Sequence, residues 1–219
     1  MKKILGFVAA ACLSFTVTAE TVYTSGKEYT VLSNPQPVAS EGKIEVIEFF
    51  WYGCPHCYHL ESEVDSFLKS LPDDVSFMRM PAILGPSWEL LARGYYTAEI
   101  LGVTEKIHKP LFEYLHKQRK RIRSVGDLQK FFVSKGVSKE DFDKTFNSFA
   151  VVTKTGRARQ VRDRYQLNGV PAIAINGKFV TSPSMAGGNT KVFAVINHLI
   201  EQERVLAESQ QQPAAVSAK

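Results

Sequence analysis

Hydrophobic and polar positions change their period several times along this chain. Lys43 to Phe50 (KIEVIEFF) combines β-branched and aromatic residues with little polar interruption, which predicts a buried strand. Beyond residue 54 the period lengthens. Cys57, Leu60, Val64, Phe67, Leu68 and Leu71 fall on one stripe at helical spacing, and Pro72-Asp73-Asp74 ends that helix. Val75 to Ile83 (VSFMRMPAI) predicts another strand, so this part follows the pattern of a βαβ unit. Ahead of it, residues 20–42 are irregular, with a short strand at Tyr29 to Leu32 and a turn at Asn34-Pro-Gln-Pro.

From Leu84 to about Gln166 the pattern is helical. Ser87 is placed to cap a helix carrying Trp88, Leu91, Tyr95, Ala98 and Leu101, closed by Gly102. Thr104 opens another helix, interrupted or kinked at Pro110. Ser124 with Asp127 and Ser138 with Asp141 resemble capping boxes, and Gly136 ends the first of these two helices. A strand signal returns at Pro171 to Val180 (PAIAINGKFV), where Asn176-Gly177 predicts a hairpin turn. Thr190 to Leu206 is a closing amphipathic helix, Gly187-Gly188-Asn189 leads into it, and the tail SQQQPAAVSAK predicts disorder. The fold class is therefore α/β, one sheet domain split by roughly eighty helical residues, with parts at 20–83, 84–160 and 161–219.

At the N-terminus, Lys2 and Lys3 precede the apolar run ILGFVAAACLSF, too short to span a bilayer, and Val17 and Ala19 supply a small-x-small exit. Residues 1–19 thus read as a secretory signal cleaved after Ala19. Cleavage removes Lys2 and Lys3 and no acid, and lowers the formal net charge from +5 to +3. So mild a charge gives no reason to expect a nucleic-acid or membrane partner. The basic run HKQRKRIR at 116–123 is expected to be a solvated helix end or loop. Cleavage also removes Cys12, unless that residue is instead a lipid-bearing N-terminal cysteine. The mature protein then keeps only Cys54 and Cys57, in WYGCPHCYHL.

That pair has three readings. A zinc site needs four ligands, and the only neighbours, His56 and His59, crowd into the same turn, so no metal is expected. A structural disulfide suits an exported protein, but so short a loop constrains the unfolded chain little. A reactive centre gains from position. Cys54 lies at the helix N-terminus with Pro55 at the first helical position, where unpaired N–H groups and the helix dipole favour a thiolate. Cys57 starts the apolar stripe and is expected to be buried, which leaves one exposed, charged sulfur and one shielded resolving partner. His56 either adds positive charge near Cys54 or is an ordinary exposed histidine. A Cys-x-x-Cys after a strand and before a helix points to a thioredoxin-like redox site.

EFFWYGCPHC, GVPAIAINGKF, the helical insertion and the leader together resemble the DsbA family of periplasmic thiol:disulfide oxidoreductases, over nearly the whole mature chain. The resemblance implies a thioredoxin fold with an inserted α-helical domain and no dissociable cofactor. It implies a periplasmic monomer that oxidises cysteine pairs of unfolded exported proteins and is reoxidised by a membrane partner similar to DsbB. Val170-Pro171 matches the family's cis-proline loop, which faces the cysteines and contacts substrate; without the resemblance Pro171 reads as a turn proline. Glu48 matches the family's buried acid, six residues before Cys54. It would move protons to or from Cys57, be paired, or point to an open edge. The triplet Trp51-Tyr52-Gly53 departs from the expected pattern and bears on the shape of the surrounding groove. Two rival functions remain: a disulfide reductase or isomerase, and a non-catalytic exported binding domain with a structural disulfide.

Overall fold

The computed structural model describes residues 22–40 and 42–211. The expected leader, its cleavage point and Cys12 lie outside the described residues, as do positions 212–219 of the expected tail. Five strands form one sheet: β1 (Tyr29–Val31), β2 (Ile44–Phe50), β3 (Val75–Pro81), β4 (Ala172–Ile175) and β5 (Phe179–Thr181), in the order β1-β5-β4-β2-β3. β4 is the middle strand; β2 lies between it and the edge strand β3, parallel to β3 and antiparallel to β4, while β5 runs antiparallel to both β4 and β1. Burial on both faces explains the near-continuous apolar run of β2.

Helix α1 (Pro55–Lys69) joins β2 to β3. Between β3 and β4 come a 3-10 turn (Pro86–Trp88) and helices α2 (Glu89–Ile100), α3 (Thr104–His116), α4 (Val125–Ser134), α5 (Lys139–Phe146) and α6 (Phe149–Arg164). The short α7 (Pro183–Ala186) and the long α8 (Asn189–Gln211) close the chain. The chain thus forms a mixed sheet with helices, a thioredoxin-like fold interrupted by a helical insertion.

Three apolar clusters hold these elements. On one face of the sheet, Leu60, Val64 and Phe67 of α1 and Val192, Ile196 and Leu199 of α8 pack over Val46, Ile173 and Ile175. On the other, Val161 and Tyr165 cover Ile47, Phe49 and Ala174. The third joins the insertion to the site: Phe50, Tyr52 and both cysteines pack with Leu111, Phe112, Leu128 and Phe132. The boundary expected at 160/161 falls inside α6. Its Val151 and Ala158 belong to the helical cluster and its Val161 to the sheet, so one continuous helix serves both bodies.

Several local expectations differ from the structure. Ser87 caps nothing: it lies within the 3-10 turn, and α2 begins from Trp88 without a side-chain cap. The helix at Pro110 is not interrupted, because α3 runs unbroken from Thr104 to His116. A proline there removes one backbone donor, and the apolar face of Ile107, Leu111 and Phe112, fully buried, outweighs it. The Ser124 capping box is complete. At Ser138 only half forms: its side chain accepts from the Asp141 amide, while its hydroxyl donates to the Asp141 carboxylate at 2.7 Å. α8 continues through Gln211, so the first three residues of the expected tail are helical.

The predicted hairpin turn is present, with Asn176 and Gly177 both in the left-handed region at φ 49° and 65°. Gly177 also accepts a 2.7 Å bond from the Gln36 amide, and a Cβ there would fall onto the Gln36 carbonyl oxygen. Gly177→Ala is therefore expected to lower stability by about 2 kcal/mol or more, from left-handed strain plus the backbone clash. Urea unfolding should show a lower midpoint at unchanged slope. An unaltered midpoint would mean that the turn relaxes freely.

Candidate active site

Cys54 is the N-cap of α1 in extended backbone (φ −90°, ψ 117°), its amide held by Trp51 O at 2.9 Å. Pro55 takes the first helical position as expected, since it needs no amide partner there. Cys57 lies one turn further on and is fully buried among the insertion helices, and both thiols are free. Cys54, whose sulfur was expected to be exposed, is only 9% accessible as a residue. The tertiary reason is the loop before β4: Val170 packs against the same cluster, and the Cys54 thiol donates to Val170 O at 3.4 Å. The Val170–Pro171 peptide is cis.

The two sulfurs differ sharply in acidity. Cys54 is pulled down to about 6. The largest cause is a hydrogen bond from the Cys57 thiol; the amides of Cys57 and His56 and the His56 charge add to it, against the opposing effect of burial. Burial first, and then the bond to Cys54, push Cys57 far above the ordinary thiol range. The helix end and His56 were expected to lead this effect. The neighbouring thiol leads it instead. His56 itself is exposed and lines a groove of about 500 Å³ beside the cysteines, walled by Val170, Pro171, Tyr165, Ser182 and Met185.

Glu48 does not point to an open edge. It is fully buried, lies opposite Arg79 in the β2–β3 register, and accepts from the Arg79 Nε at 3.1 Å. Desolvation, followed by the charge of Glu61, nevertheless raises its pKa, with Arg79 opposing. Two carboxylates share one guanidinium, since Glu61 Oε2 is 3.6 Å from Arg79 Nη2. From Glu61 the chain of contacts continues into the insertion. His108 Nε2 is 3.3 Å from Glu61 Oε2, and His108 Nδ1 is 2.9 Å from the Tyr52 hydroxyl. Burial keeps that phenol protonated, so it meets the His108 ring as a neutral hydroxyl.

Sequence reasoning missed Arg79, Glu61 and His108. Arg79 had a signal, a lone cation inside an apolar strand. Glu61 and His108 had none, because each sits on a helix where charged positions are ordinary. The triplet Trp51-Tyr52-Gly53 now has a physical account. Trp51 stacks on Trp88 (centroids 4.3 Å apart, planes 7°), and its ring lies so close over Gly53 that a Cβ at 53 would strike it. Among the described residues, no group of three or more His, Cys, Asp or Glu is placed to hold a metal ion.

A strand that delivers a low-pKa cysteine to a helix end, beside a buried partner and a cis-proline loop, defines a thioredoxin-like thiol–disulfide site. A DSBA-like thioredoxin domain model matches residues 73–199. The chain is 40% identical over 202 residues to the thiol:disulfide interchange protein DsbA of Pseudomonas syringae pv. tomato, covering 92% of this chain and 94% of that protein. It is 41% identical to the Pseudomonas aeruginosa DsbA crystal structure, with a TM-score of 0.81 over 85% of this chain and 97% of that one. Against the oxidoreductase DsbA from Xylella fastidiosa the values are 31% identity and TM-score 0.78, covering 84% and 98%. The chain belongs to the DsbA family.

Two predictions follow from the acidity difference. Iodoacetamide should label Cys54 and leave Cys57 silent in the folded reduced protein, with a rate that titrates near pH 6. Peptide mapping that found the label mainly on Cys57 would reverse the roles. The second concerns stability. The folded pKa of Cys54 is depressed, so its contribution to the reduced form is complete above the unfolded value and vanishes as pH falls through about 6. Between pH 5 and pH 8 the reduced form should therefore gain about 2.5 kcal/mol over the oxidised form. Denaturant unfolding of both forms across that range measures the gap, and a flat gap would contradict a stabilised thiolate.

Proposed function

We propose that this chain is an exported dithiol oxidase, which works in the periplasm on cysteine pairs of unfolded proteins and is reoxidised by a DsbB-like membrane partner. The observation that carries this reading is the placement of Cys54 at the α1 N-cap against the cis Val170–Pro171 loop, with Cys57 sealed in the apolar cluster behind it. In the oxidised form, a substrate thiolate attacks the Cys54 sulfur and breaks the Cys54–Cys57 bond, and Cys57 takes up a proton. A second substrate thiolate then attacks the substrate sulfur of the mixed disulfide and releases Cys54 as a thiolate. The lower the pKa of the departing sulfur, the faster it leaves, which drives transfer of the disulfide outward. No metal or dissociable cofactor takes part.

The supporting residues have matching roles. His56 and the α1 amides favour charge on Cys54, and Pro55 fixes the first turn. Val170 O, 3.4 Å from Cys54 Sγ, marks where a substrate backbone would lie along the Val170–Pro171 loop. Glu48 is the buried acid whose charge Cys57 feels, and its raised pKa suits it to exchange the Cys57 proton. The unit is read as a thioredoxin-like domain, 20–83 and 161–219, carrying the insertion 84–160. It acts as a monomer after loss of residues 1–19. Among the described residues, no helix is long and apolar enough to cross a membrane.

Cys57→Ser is expected to trap mixed disulfides with exported proteins through Cys54, while Cys54→Ser traps none. Non-reducing gels of the two variants decide this, and equal trapping would contradict the mechanism. Parallel assays of reduced-ribonuclease oxidation and insulin reduction separate an oxidase from a reductase and from a domain with a purely structural disulfide.

A further inference from the structure

The basic run that the sequence suggests is merely solvated begins at the rim of the redox site. α3 ends at His116, whose Nε2 donates to the Tyr52 carbonyl at 2.7 Å and whose ring stacks on Tyr58 at 5.2 Å and 14°. Tyr52 and Tyr58 bracket the two cysteines, and the Tyr58 amide donates to Cys54 O at 3.2 Å. The next seven residues, 117–123, are a defined segment. The amides of Lys117 and Gln118 bond Glu113 O at 2.9 Å, and that of Lys120 bonds Tyr114 O at 3.0 Å. At the far end the Asp127 carboxylate accepts from the Arg123 and Ser124 amides as part of the α4 capping box. Ile122 turns inward onto the helical cluster.

This frame displays Lys117, Arg119, Lys120, Arg121 and Arg123, all exposed. Among the described residues, none of the five forms an ion pair. Cations at a helix C-terminus ordinarily serve its unpaired carbonyls. Here backbone amides already bond Glu113 O and Tyr114 O, so the side chains are free to act outward. The segment also lies on a different side of the site from the groove. His56 lines the groove while Tyr58 meets His116, and positions two apart on a helix point roughly 200° away from each other.

We propose that Lys117–Arg123 is a docking surface for acidic stretches of unfolded polypeptide, and that it selects substrates whose cysteines are flanked by Asp and Glu. The inference rests on the oxidase reading. An unfolded chain held at Cys54 extends across this rim, where uncompensated cations steer and retain negative charge. A membrane surface fits less well, because the one apolar side chain of the segment, Ile122, packs inward and leaves nothing to insert.

The test uses three peptides, each with one cysteine pair, differing only in flanking residues: acidic, uncharged and basic. Oxidised protein is mixed with each, the reaction is quenched by alkylation, and the peptide disulfide is quantified by mass spectrometry. Rates are divided by those with the neutral reagent 2-hydroxyethyl disulfide, which removes the effect of the flanks on thiol reactivity. At low salt the acidic peptide should react about tenfold faster than the uncharged one, and the basic peptide slower. The acidic preference should fade at 0.5 M salt, disappear in Lys120→Gln/Arg121→Gln and invert in Lys120→Glu/Arg121→Glu. Equal rates for all three peptides, with the uncharged one oxidised, would overturn the docking surface and leave the oxidase reading intact. Failure to oxidise the uncharged peptide would instead sink the oxidase reading. Binding to phosphatidylglycerol vesicles that both variants abolish, without any peptide preference, would reassign the segment to lipid and overturn the proposal.

Discussion

The apposition of the buried Cys57 thiol to the Cys54 sulfur is the interaction on which the site depends. It is the largest single cause of the lowered Cys54 pKa, and it exists because Cys57 is sealed away from water and keeps its proton. Sealing Cys57 is work done by the insertion. Phe112, Leu111 and Leu128 belong to the same cluster as the two cysteines, so the helical body is part of the redox chemistry. The loop before β4 completes the arrangement by covering Cys54 with Val170.

A second set of forces ties the insertion to the sheet. Tyr52, His108, Glu61, Arg79 and Glu48 form a continuous polar path from the active-site turn through α3 and α1 to β3 and β2. Buried charges are expensive to desolvate, and such a network holds only while each member keeps its partners. Among the described residues Glu48 Oε1 has no hydrogen-bond partner, so the path carries one unsatisfied atom at its inner end. That atom lies on the acid whose charge Cys57 feels, which joins the fold-stabilising network to the sulfur chemistry. The stacked Trp51 and Trp88 form a parallel apolar link between the same two bodies.

The surroundings of Cys54 are chemically uneven. On one side is the groove beside Val170 and Pro171, with hydroxyl and apolar side chains. On the other is a rigidly held run of cations following His116. A flexible chain reaching the sulfur meets backbone acceptors and shape on one side and electrostatic attraction on the other. On the proposed reading, the first would suit any extended peptide and the second would discriminate by charge, so generality and preference would reside in separate elements.

Much of this protein was determined by local sequence. The stripe from Cys57 to Phe67, the apolar run of β2, the Asn176-Gly177 turn and the Ser124 cap each follow from interactions within a few residues, and each appears where the pattern puts it. The reactive pair was also visible, because its position before a helix is a local property. Other features required residues brought together from far apart. The near-burial of Cys54 depends on Val170, 116 positions away, and the pairing of Glu48 depends on its register with Arg79. His108 and Glu61 look like ordinary helix residues until α3 and α1 pack face to face. The cations after His116 gained meaning only when His116 was found against Tyr52 and Tyr58. Local sequence dictates which segments are strands and helices because hydrogen bonding and periodicity act over a few residues. Burial and charge pairing act across the whole fold, so only the tertiary structure decided which groups the redox centre would feel.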